Sequence, residues 1–387
     1  MAGPLFAVFK REIKIILNYP IYVMCMVVLP LFITVFFTSL MDQGQPVDMP
    51  IGIVDDDNSC TTRRLARMID SFQNSRVVAH YPTVDDARRA IQRNEIYGFV
   101  YFPRHLAGDI VSGRQPRMSV YYTNTSIMAG ALLFKDMKTM CTLANAGVAR
   151  TTMRARGYSP QQIKAYLQPI AIDMHMIGNP WVNYQLFLCA AFVPAMFMLF
   201  IFLLTTYSLG TEIKFDRHKE WLATADNNIF KAVYGKLLPQ TLTFSLIMFV
   251  SMSYMFGILH FPAPGGEWRL MLLALLGVLG AQGFAVFLYG LIPSLRMSMS
   301  VCSLLAVLSF SMVGVAFPVY AMDSPLQAIA WIFPMRHYYL IYQLCVFNNY
   351  PLSDAISHIL MLVLFALMPL LVMRRMRRAV NEFGYQP

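Results

Sequence analysis

The residues of this chain best able to do chemistry are few and poorly clustered. Its densest acidic run is Asp55-Asp56-Asp57. Carboxylates in a row can hold Ca²⁺, but a calcium loop also needs Gly at its sixth position and Glu at its twelfth. Counted from Asp55, those positions are Cys60 and Ala66, so a strand end running into a helix cap is the better reading. His80, His105 and His175 stand far apart, without ligand spacing. The six cysteines contain no CxxC pair. Cys25, Cys189, Cys302 and Cys345 fall in apolar stretches, where cysteine behaves as a small hydrophobe. Cys60 and Cys141 could bond to each other in an extracytoplasmic domain, but sequence does not establish the pair. Tyr234-Gly235-Lys236 lacks the upstream glycine and the following hydroxyl of a phosphate-binding loop, and neither GxSxG nor HExxH occurs. The expectation is a chain with no catalytic residue, no metal site and no cofactor of its own.

A different kind of function is suggested by residues 210–226. They mix dense charge of both signs with Phe215, Trp221 and Leu222. One reading is a solvated loop with membrane-facing aromatics. The other is a short amphipathic helix whose aromatic knob enters a groove on a cytoplasmic partner.

The elements that must position this segment are apolar. Hydrophobic residues make up 57% of the 387 and charged residues 13%, about half of the roughly 25% charged usage of soluble domains. Residues 174–211, 237–266, 270–295, 297–322 and 355–373 contain no Asp, Glu, Lys or Arg. Six segments reach the length of about 20 residues that crosses a bilayer as helix: 21–40, 184–209, 237–259, 270–293, 299–318 and 355–373. Their lack of charge argues against a self-powered carrier, which usually keeps ionisable groups within the membrane; the nearest candidates, His260 and His358, stand at span edges. The expected fold is a polytopic α-helical membrane protein of six transmembrane helices.

Orientation follows from the basic residues of the short loops. Thirteen fall on one side: Lys10, Arg11 and Lys14, then Lys214, Arg217, Lys219, Lys231 and Lys236, Arg296, and Arg374, Arg375, Arg377 and Arg378. Only Arg269 and Arg336 fall on the other. Both termini are therefore expected to be cytoplasmic, and the formal charge of +10 reads as an orientation signal rather than a nucleic-acid footprint. The first apolar run is too long, and the sequence after it too poor a cleavage site, for a signal peptide. Ahead of it, residues 1–18 suggest an interfacial helix with Leu5, Phe6, Phe9, Ile13, Ile16 and Leu17 near one face. The first span occupies 19–41, the remaining spans and their loops 181–374, and a cytoplasmic tail 375–387.

Residues 42–180 form the large extracytoplasmic insertion between the first two spans. Strand patterns at 50–55, 77–81, 97–102 and 118–122 alternate with helix patterns, the second opened by Thr83 as a cap, which implies a small α/β domain. A helical pattern follows from 126 to about 155. Residues 318–350 are too apolar for an exposed loop and are broken by Pro325 and Pro334, which suggests two short helices dipping into the outer leaflet.

Taken together, these pieces resemble the permease subunit of type-2 ABC exporters, in the branch with a large outer domain between the first two spans. The resemblance covers essentially the whole chain. It rests on Ile51 to Ser59, Tyr97 to Pro103, Asn179-Pro180 at the second span, Glu212 through Leu222 in the coupling-loop position, and Phe317-Pro318 with Phe333-Pro334 in an outer re-entrant pair. It implies a dimer with a second permease copy or a paralogue, in a Gram-negative inner membrane. Two cytoplasmic ABC ATPases would dock on the coupling segment 210–230, through Glu212, Phe215, Arg217, Glu220, Trp221 and Leu222, and on the N-terminal helix. It also implies efflux of an amphipathic or lipid-like substrate, in some members with a periplasmic adaptor protein. The readings from other classes are a membrane-anchored sensor or binding protein that uses the outer domain, and a membrane enzyme, for which no motif is present.

Overall fold

The computed structural model describes residues 3–169, 173, 175, 179 and 182–382. Pro180, expected at the entry to the second span, lies outside them, as do residues 383–387 of the tail. The chain divides into two compact units, Met1–Asp42 with Gly178–Pro387, and Gln43–Ile177.

The first unit is helical. An N-terminal helix, Pro4–Asn18, ends at Tyr19, whose extended backbone turns the chain into the first long helix, Pro20–Leu40. A π-turn at Met24–Val28 lies just ahead of Pro30, whose missing N–H already interrupts the ladder of backbone bonds. Four further helices are long and apolar enough to cross a membrane: Tyr184–Lys214, Ile229–Ile258, Glu267–Leu291 and Leu352–Val380. The sixth expected span is shorter. Helix Leu295–Ser311 has 17 residues, about 26 Å at 1.5 Å per residue, against a hydrocarbon core of about 30 Å. It stops well before residue 318 because Gly314 adopts φ +99° and Pro318 cannot continue a helix.

The long helices pack through small and aromatic residues. Gly277, Gly280 and Gly283 repeat every three residues along Glu267–Leu291. A Cβ at Gly283 would meet the backbone of Phe365 and Ala366 in the last long helix, a close approach of the kind that holds membrane helices together. Phe197, Phe202, Phe284 and Phe365 fill the space between helices. Polar cross-links join the same helices: Thr34 with Ser251 at 3.2 Å, Gln185 to the Thr38 carbonyl at 2.7 Å, and Thr241 to Gln282 at 2.6 Å. Such bonds average about 0.6 kcal/mol each in membranes, so they set register more than stability.

The apolar connection after Ser311 holds a 3₁₀ turn, Val319–Ala321, then helices Ser324–Ala330 and Pro334–Ile341, the latter running on through a π-turn to Phe347. Pro325 and Pro334 sit in the first turns of the two helices, where their missing N–H costs nothing. Phe317 is half exposed at 52%, while Phe333 and Pro334 are buried.

The second unit carries a four-stranded sheet of β1 (Met49–Asp55), β2 (Ser75–His80), β3 (Gly98–Phe102) and β4 (Ser119–Tyr122), in the order β2-β1-β3-β4. The first three are parallel, and β4 pairs antiparallel to β3. Ile51, Ile53 and Val54 on the central strand are fully buried. Helices Cys60–Asp70, Val84–Gln92, Leu106–Val111 and Ile127–Ala155 complete the layers. The acidic run serves as a turn and cap: the Asp55 carboxylate accepts from the N–H groups of Asp57 and Asn58, and Ser59 forms a capping box with Thr62. Cys60 and Cys141 are free thiols.

Candidate functional site

The second long helix does not stop at residue 209, where its apolar run weakens. It carries Gly210, Thr211 and Glu212 on to Lys214, with Phe215 as C-cap. Asp216 then turns the chain with φ +53°, and a short helix, His218–Thr224, follows. Asp226 and Asn227 make a second left-handed turn, and Asn228 caps the third long helix by accepting from Phe230 N–H. The helix suggested by the 210–226 pattern is therefore seven residues, bracketed by turns that Asp and Asn tolerate.

The candidate coupling residues divide by exposure. Phe215 is 54% exposed, and the Glu220 side chain is 72% exposed. Leu222 is buried, and Trp221 is only 1% exposed. Its indole N–H donates to the Ala232 carbonyl at 3.2 Å. Trp221 is thus a wedge between the short helix and the third long helix, not the outward aromatic knob suggested by the sequence; Phe215 holds the exposed position.

Glu212 leads to a site that the sequence did not disclose. Its carboxylate accepts both arms of the Arg11 guanidinium, at 2.8 and 2.9 Å. Lys236 Nζ donates to Glu212 at 2.7 Å and to Glu12 at 2.6 Å. Glu12 also accepts from Ser208 Oγ and Gln240 Nε2, both at 3.1 Å. Glu12, Glu212 and Lys236 are 0%, 3% and 1% exposed. Two acids and two bases balance, which is what lets them be buried at all. Burial works against the charge of Arg11, but its bond to Glu212 and the surrounding carboxylates outweigh this and raise its pKa further.

Local packing brings the partners together. Val8, Glu12 and Ile16 are the buried face of the N-terminal helix, four residues apart, while Leu5, Phe6 and Leu17 are exposed. Gly235 lets that helix approach, since a Cβ there would lie 2.9 Å from Val8 Cβ. Arg11 reaches outward as well, its Nε lying 3.9 Å from Glu220. An ionic chain thus runs from the exposed Glu220 through Arg11, Glu212 and Lys236 to Glu12, tying the short helix to the N-terminal helix and to both neighbouring long helices.

The expected spans 184–209 and 237–259 hold no Asp, Glu, Lys or Arg, but the helices that contain them run further. Lys236 lies within Ile229–Ile258, which begins eight residues before its uncharged run, and Glu212 lies within Tyr184–Lys214. The available signals were the Val8–Glu12–Ile16 stripe and a single acid among three bases on the N-terminal helix. Phe317, Pro318, Phe333 and Pro334 belong to the later connection and take no part in the cluster. There, His337 is fully buried, its Nδ1 3.0 Å from that of His358 and its Nε2 2.9 Å from the Trp331 carbonyl. Among the described residues no group of three or more His, Cys, Asp or Glu could hold a metal ion.

A search of curated proteins finds no match. The family model for ABC-2 family transporter proteins matches residues 20–373, from the start of the first long helix into the last and through the whole α/β unit. The chain therefore belongs to that family: it is a multi-pass membrane protein, the permease subunit of an ABC transporter.

Proposed function

We propose that the chain is the permease of an exporter that moves an amphipathic or lipid-like substrate outward, using ATP hydrolysed by a separate cytoplasmic ABC ATPase. It works in the inner membrane as a dimer with a second copy or a paralogue. Both termini and residues 210–230 are cytoplasmic, residues 42–180 form the periplasmic domain, and a periplasmic adaptor is a further partner. The observation that carries this reading is the ionic chain from Glu220 to Glu12. A push on the short helix enters through the buried Trp221 and Leu222 as well as the exposed Glu220. The desolvated cluster of Arg11, Glu212, Lys236 and Glu12 beyond them carries it to the N-terminal helix and two long helices together. Phe215, Arg217 and Glu220 offer the contact surface, Trp221 and Leu222 fix the short helix to the third long helix, and Glu212 passes the displacement on. The outer pair at Phe317-Pro318 and Phe333-Pro334 closes the opposite end of the path.

The test is a mild-detergent pull-down of the full chain from its native membrane. Recovery of a P-loop ATPase is expected, with loss of recovery in Phe215→Ala/Glu220→Arg at unchanged thermal stability. Recovery of the permease alone, or full ATPase recovery with the double variant, would sink the docking assignment. A Trp221 variant is unsuitable because it confounds docking with folding.

A further inference from the structure

Beside the ion cluster lies an open cavity of about 400 Å³, within the roughly 300–1,000 Å³ range of small-molecule sites. Tyr19, Tyr22, Tyr207 and Phe215 form its aromatic walls, and Arg217 supplies positive charge, that of Lys236 being matched by Glu12 and Glu212. Tyr19 ends the N-terminal helix and Phe215 caps the second long helix, so the cavity lies where these two helices end. Arg217 is held there by two rings, 5.8 Å from the Tyr19 centroid and 5.3 Å from that of Phe215. Among the described residues no carboxylate pairs with it; its neighbour Asp216 faces His218 at 3.3 Å. Glu212 also lines the cavity, but both its oxygens accept from Arg11 or Lys236, so its charge is already matched.

From this geometry we infer that the cavity binds the phosphate group of an anionic phospholipid from the adjoining leaflet. The planar guanidinium of Arg217 takes two phosphate oxygens, a match an ammonium cannot reproduce. Two of the three Lys236 N–H groups serve carboxylates, which leaves one to donate to the ligand. The tyrosine rings receive the glycerol and the upper acyl chain, as aromatic residues do at membrane interfaces. Anionic lipids are concentrated in the cytoplasmic leaflet, where basic residues at span ends attract them. The site goes beyond the transport reading and is tested on this chain alone, without an ATPase.

Native mass spectrometry of the purified full chain, titrated separately with phosphatidylglycerol and phosphatidylcholine, reads the binding directly. One phosphatidylglycerol per chain is expected, held in preference to phosphatidylcholine. Arg217→Gln should weaken it by about tenfold or more, since it removes the charge and the two-bond fork, and Arg217→Lys should fall between. Lys219→Gln, which removes an exposed charge two residues away, should bind as the parent does. Equal retention of both lipids, or equal weakening by Lys219→Gln and Arg217→Gln, overturns the site. Competition with inorganic phosphate separates the sources: displacement of all bound lipid by phosphate alone assigns the pocket to a soluble anion and overturns the lipid.

Discussion

Lys236 is the residue on which the cluster turns, because it alone joins both carboxylates. Lys236→Met leaves Glu12 without a cation and Glu212 with Arg11 only; removing one partner of a buried pair costs about 3–5 kcal/mol. The melting temperature in detergent should fall sharply, and Glu12→Gln added to Lys236→Met should recover most of the loss. No recovery would show that the lysine stem, rather than its charge, is what matters. In the α/β unit, Asp136 is 6% exposed and accepts from Asn74 Nδ2 at 3.3 Å. Burial raises its carboxyl above the ordinary 3.8, and the bonds from Asn74 only partly oppose this. The folded acid therefore binds its proton at higher pH than the unfolded one. Stability should rise as pH falls through the raised value toward 3.8 and decline as pH climbs back. Asp136→Asn should flatten that dependence, read as hydrogen-exchange protection of 127–140 in the full chain, corrected for intrinsic exchange. An unchanged slope would mean the carboxyl is solvated.

At the scale of elements, what depends on neighbouring residues was legible and what depends on distant partners was not. The strands were readable because β-branched runs alternate with turn residues, and the Thr83 cap is observed, its hydroxyl accepting from Asp86 N–H at 3.2 Å. The helix ends were not readable from hydropathy. An apolar scan stops at the first charge, whereas Glu212 and Lys236 extend their helices inward because each has a counter-ion on another element. Arg11 and Glu212 are 201 residues apart, and Glu12 and Lys236 are 224 apart, so no spacing rule links them. Nor does sequence reveal that Gly235 is the contact point of the N-terminal helix. Gly235→Val should wedge that helix away from Val8 and strain the Glu12–Lys236 bond. The expected result is faster protease cleavage near residue 18 with the inserted domain unaffected; unaltered cleavage would mean the helix is held by other contacts.

For the molecule as a whole, the family assignment rests on a match running through both units, while the drive reading rests on one corner of one of them. Under the proposed drive, the permease's work depends on how stiffly that corner transmits a displacement. The buried cluster also has a consequence for manufacture. Glu12 leaves the ribosome early, and its partner Lys236 follows 224 residues later. At about 5–20 residues per second of synthesis, the N-terminal helix waits on the order of ten to forty-five seconds with its acid unmatched. It must spend that interval at the bilayer surface, in water's reach, and only the arrival of the third long helix lets it settle. The order of translation thus makes the last-formed contact of the N-terminal helix a checkpoint on whether the first half of the membrane unit has been inserted.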